Sequence, residues 1–91
     1  MIANELHIKP MLSFGLGVLE KTITLGDTVT IFQNNIYNTD EVVFIFNGAR
    51  KPIYGFDFTP SSIGVHNLEC TMQIKVARAT LKSNIIKLNV V

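Results

Sequence analysis

The stretch that decides the fold is Val65-His66-Asn67-Leu68-Glu69-Cys70-Thr71-Met72-Gln73-Ile74-Lys75-Val76. Leu68, Cys70, Met72, Ile74 and Val76 fall on one parity, and Asn67, Glu69, Thr71, Gln73 and Lys75 on the other. A side-chain period of two belongs to a β-strand with one buried and one wet face, so the stretch predicts a long strand whose inner face reaches Val76. The segments on either side repeat the pattern. Tyr54, Phe56 and Phe58 alternate with Gly55 and Asp57, and Ile86, Leu88 and Val90 alternate with Lys87 and Asn89. Upstream, Ile23 and Leu25, then Val29 and Ile31, share a side around the turn Gly26-Asp27. The run Val42-Val43-Phe44-Ile45-Phe46 is apolar throughout, which predicts a strand covered on both sides, and Asn47-Gly48 turns the chain after it. Pro52 places residues 50–54 at an edge or in a loop, and residues 77–84 read as a polar connection. The inward positions Val29, Ile31, Phe44, Phe58, Leu68, Cys70, Met72, Leu88 and Val90 form the expected core.

About seven short strands with turn signals between them describe an all-β chain, a β-sandwich of antiparallel strands. Leu25-Gly26-Asp27-Thr28-Val29-Thr30-Ile31 resembles the second-strand signature of immunoglobulin-like domains. Phe56-x-Phe58-x-Pro60 followed by Gly64-x-His66-x-Leu68-x-Cys70 resembles the corner between their fifth and sixth strands, with His66 where that corner usually carries Tyr. The likeness covers residues 22–91 and is nearest to bacterial and phage immunoglobulin-like modules, including PKD-like ones. It implies an immunoglobulin-like β-sandwich over residues 22–91, preceded by an N-terminal arm or edge strands over residues 1–21.

Ninety-one residues form one domain that buries about two-thirds of its unfolded surface. Eight basic and seven acidic residues leave a net charge of +1, so no field draws the chain to nucleic acid. The longest unbroken apolar run is far short of the roughly 20 residues that span a bilayer, so no membrane insertion is expected. Cys70 is the single cysteine, which excludes an internal disulfide and suits synthesis in a reducing cytoplasm.

Candidate chemistry is thin. His66 and Cys70 lie four residues apart on a strand, roughly 13 Å, too far for a nucleophile and its base. Gly15-Leu16-Gly17 lacks the third glycine of a dinucleotide fingerprint. Asp40 and Glu41 are strand neighbours that point to opposite faces. No catalytic, cofactor or metal site is therefore expected, and the chain reads as a non-enzyme.

In an immunoglobulin-like sandwich the loops after the second and sixth strands meet at one end. The resemblance thus gathers Asn34, Asn35 and Tyr37, with the aromatic ring as an exposed tip, beside Arg78 and Lys82. Amides, an aromatic ring and two cations suit adaptable recognition. A second candidate surface is the arm, where Leu6, Ile8 and Phe14 would dock on a neighbour by edge-strand addition. The function expected from the resemblance is a structural protein of a bacteriophage virion, such as a capsid decoration protein made in the host cytoplasm, with capsid or other virion subunits as protein partners. The alternative is an adhesion or carbohydrate-binding module of a bacterial surface protein.

Overall fold

The computed structural model describes residues 8–91. The described residues form ten strands and no helix: β1 (Leu12–Ser13), β2 (Glu20–Ile23), β3 (Val29–Gln33), β4 (Val42–Phe46), β5 (Ala49–Arg50), β6 (Gly55–Phe58), β7 (Gly64–Leu68), β8 (Thr71–Ile74), β9 (Ala79–Lys82) and β10 (Ile86–Val90). One layer has the order β1-β3-β6. The other consists of β2-β10-β7 and β5-β4-β8-β9, joined because β7 leads into β8 and β9 into β10. All pairs are antiparallel except β2 with β10. One apolar cluster draws on both layers, including Leu12, Ile31, Phe44, Met72, Ile86 and Leu88. This is the β-sandwich that the alternation predicts, of the immunoglobulin-like kind that the resemblance implies.

The long strand is in fact two. Pairing breaks at Glu69 and Cys70, where the Cys70 amide donates to Ser83 Oγ at 2.8 Å and the Ser83 amide donates to Cys70 O at 2.9 Å. A serine side chain thus stands in for a ladder partner while the inward parity of Leu68, Cys70, Met72 and Ile74 is preserved. Val76 breaks that parity. It is exposed, because β8 ends at Ile74 and the chain turns through Arg78, whose φ is +51°. The presumed polar connection contains β9, which pairs with β8 from Ala79 against Ile74 to Lys82 against Thr71.

Three further expectations need correction. Phe58 is only half-buried and packs edge-on against Phe46 at 5.3 Å, whereas Phe56, at 5.0 Å from the same ring, is the buried member of its strand. Leu25 is exposed, since β2 stops at Ile23 and the turn held by Asp27 crosses from one layer to the other. Val43 and Ile45 are half-buried, so the outer side of β4 is covered only in part. The Asn47-Gly48 hairpin turn is as expected, both residues having the positive φ, 51° and 78°, that a two-residue hairpin requires.

Residues 8–21 supply β1 and the start of β2, each at the edge of its layer. Asn84 anchors β1: the Leu12 amide donates to its Oδ1 at 2.6 Å, and its Nδ2 donates to Leu12 O at 3.0 Å. Between the two strands the chain reverses at Gly15-Leu16-Gly17, all three with positive φ, leaving the Leu16 side chain fully in solvent. Gly15 and Gly55 both lie beside the Phe32 ring, where a Cβ at either would stand at the ordinary contact distance of 3.5 to 3.6 Å.

Candidate functional site

The end of the sandwich reached by β3 is held by polar side chains. Gln33 continues the inward parity of Val29 and Ile31, so its amide enters the interior and is buried. Its Nε2 donates to Asn35 O at 2.7 Å and Ile53 O at 3.3 Å, and its Oε1 accepts from the Asn35 amide at 2.7 Å. One side chain therefore ties the β3–β4 loop to the 51–54 link, satisfying backbone groups that burial would otherwise strand.

Two tyrosines complete the end. Tyr54 Oη donates to Tyr37 O at 3.0 Å and accepts from the Tyr37 amide at 3.4 Å. Tyr37 Oη donates in turn to Ile8 O, and Asn35 Nδ2 donates to Lys9 O at 2.9 Å. The incoming chain, the β3–β4 loop and the 51–54 link are thus one hydrogen-bonded unit. Burial pushes the Tyr37 phenol above its ordinary pKa, an effect that a hydrogen bond with Asn35 opposes.

Beside this unit lies a cleft of about 360 Å³. Val42, Phe44 and Ile53 form its apolar part, and Thr39, Lys51, Pro52 and Tyr54 complete the lining. The Lys51 amide donates to Phe44 O at 3.0 Å, which fixes the cation's base, and its Nζ stands 5.8 Å from the Phe56 ring centroid. A shallower depression of about 240 Å³ lies around the β8–β9 turn, lined by Gln73, Ile74, Lys75, Arg78, Ala79 and Thr80.

The residues singled out from sequence are dispersed by this geometry. Tyr37 is no exposed tip: at 8% exposure it is part of the core, because its hydroxyl reaches inward to Ile8 O. Phe14, also 8% exposed, packs into the sandwich instead of offering itself to a neighbour. Asn35 through its side chain, to Lys9 O, and Asn34 through its backbone amide, to Met11 O at 3.4 Å, tie the loop to the incoming chain, and the Asn34 side chain is exposed. Arg78 lines the second depression from the turn before β9, and Lys82 stands at the end of β9, four residues further along the chain and roughly 13 Å away. Ile8 is exposed, and Leu6 lies outside the described residues. His66 binds Ser62 O at 2.8 Å, a corner contact.

Sequence reasoning missed Gln33, Lys51, Ile53 and Tyr54. Gln33 carried a signal, a polar residue at the inward position of a strand. Lys51 and Ile53 flank Pro52 in a segment without periodicity and carried none, while Tyr54 opens the alternating run to Phe58, which says nothing of its hydroxyl's partners.

No protein-family model and no curated protein matches the chain. Among solved structures it is similar to the fibronectin(III)-like modules of Clostridium thermocellum CbhA, with a TM-score of 0.58, 15% identity, 88% of this chain and 94% of that chain covered. At that identity the likeness concerns the fold alone, an immunoglobulin-like β-sandwich.

Proposed function

We propose that the chain is a non-catalytic immunoglobulin-like module that works by adhesion, of the kind carried by bacterial surface proteins, and that it presents its Gln33 end to the partner. The observation that carries this reading is the cleft of about 360 Å³ beside a hydrogen-bonded unit of three segments. Binding to a surface held rigid in advance avoids the cost of ordering loops on association. The likeness to fibronectin(III)-like modules of a bacterial protein favours a surface module over capsid decoration, which draws on apolar composition and near-neutral charge alone.

The test compares the wild-type module with a Lys51→Glu, Tyr54→Ser double variant for retention on bacterial envelope preparations and on purified virus particles. The same samples are assayed against ester, glycoside and peptide substrates. The expected result is retention on envelope that the double variant loses, with no turnover. Turnover that follows the purified protein, or retention confined to virus particles, would overturn the reading.

A further inference from the structure

We infer that the cleft beside Tyr54 receives an aliphatic side chain of a protein partner, set next to a carboxylate that pairs with Lys51. The inference rests on the adhesion reading and names what that end binds. Three features of the cleft lead to it.

The first is the lining. Val42, Phe44 and Ile53 offer no hydrogen-bonding side chain, and the Tyr54 hydroxyl is already committed to the backbone of Tyr37. Thr39 and Lys51 are the remaining polar side chains of the lining. A sugar seated here would leave most of its hydroxyls without partners, a cost that grows with each one buried. An aliphatic side chain has no such cost. The volume, at the small end of the roughly 300–1,000 Å³ usual for ligand sites, suits a side chain better than a chain of sugar rings.

The second is the charge. Lys51 is the cation of the lining, and its ammonium stands within cation–π range of the Phe56 ring. A carboxylate on the partner complements it, and a cation there would be repelled. Third, β8 pairs with β4 from Val42 to Ile45 but β5 pairs only with Ile45 and Phe46, so on the β5 side no strand pairs with Val42 and Val43, and an extended partner segment lying there sets its side chain into the cleft.

The experiment is an NMR titration of ¹⁵N-labelled protein with three probes: acetyl-Glu-Leu-Glu-amide, acetyl-Lys-Leu-Lys-amide and a glucose hexasaccharide. The acidic peptide is expected to shift the amides of Thr39, Val42, Ile53 and Tyr54, with a Kd about fivefold or more below that of the lysine peptide. Lys51→Glu, a change at a half-exposed position checked by its melting temperature, should reverse the order. Equal affinities for the two peptides, no shift with either, or shifts at the cleft from the hexasaccharide would overturn the inference. Shifts confined to another face would overturn the inference and the choice of the Gln33 end, while retention on envelope would still show adhesion.

Discussion

The half of the sandwich built from β2, β10 and β7 and the end built around Gln33 are held together by different forces. In β10, Ile86, Leu88 and Val90 are buried and purely apolar, while Asn89 on the outer face reaches Glu20 and Thr22 at 3.4 Å each. At the other end the buried set includes Gln33 and Tyr37, and among the described residues each buried polar side-chain atom has a partner. Apolar packing is non-directional and tolerates a change of shape at constant volume. A hydrogen-bonded knot tolerates a change of shape poorly, because each lost atom leaves a buried group unpaired.

The largest effect should come from emptying the apolar half. Leu88→Ala is expected to cost about 2–5 kcal/mol, and Leu88→Met less than about 1.5 kcal/mol, in urea unfolding. Similar costs for the two would mean that this half is as shape-specific as the other. At the polar end the order of chemistry should invert. Gln33→Leu, a swap toward a more apolar side chain, should cost about 1–3 kcal/mol, since Ile53 O and the Asn35 amide lose their partner. A stabilised Gln33→Leu protein would show that burial, and not hydrogen bonding, holds both regions.

A third expectation sharpens the account of the interior where the paired strands break. Burial, and secondarily the neighbouring Glu69 charge, pushes the Cys70 thiol up to about 12 from an ordinary value of 9.0. The native state therefore keeps its proton in a range where the unfolded chain releases it, so stability falls as pH rises from about 9 towards 12. Melting curves of the wild type and Cys70→Ala across that range should show the wild type losing ground. A constant difference would contradict it, as would rapid thiol labelling of the native protein. The smallest effect is expected at the loop tip: Leu16→Asn relieves a positive-φ leucine that packs against nothing, and should raise stability by up to about 1 kcal/mol.

The two regions also differ in how far they could be read without coordinates. Leu68, Cys70, Met72, Leu88 and Val90 are legible because period-two alternation maps directly onto the two faces of a sheet. Tyr37 is not, because its neighbours Asn35, Ile36 and Asn38 carry no periodicity and the loop's asparagines suggest a wet tip. Its burial depends on Ile8, 29 residues away, a contact that no local pattern encodes. The cleft has the same character: Lys51 and Tyr54 acquire meaning only when the link after β5 folds back beside β4. Leu6, part of the proposed docking arm, lies outside the described residues. Val76 and Leu25 show the converse error, in which a correct alternation is carried two residues past the end of its strand.

The parallel pairing of β2 with β10 also governs how this fold would bear tension. Ile8 lies at the Gln33 end, whereas Val91 lies at the far end, where its amide donates to Ile23 O at 2.9 Å. Traction applied through these two points drives β2 and β10 past one another along their length, so the bonds from Glu20–Lys87 to Ile23–Val90 are loaded together instead of one by one. Resistance to such a pull is set by the unfolding rate, not by equilibrium stability. Rupture should thus begin where Asn84 clips Leu12, at β1, before the shear-loaded pair gives way.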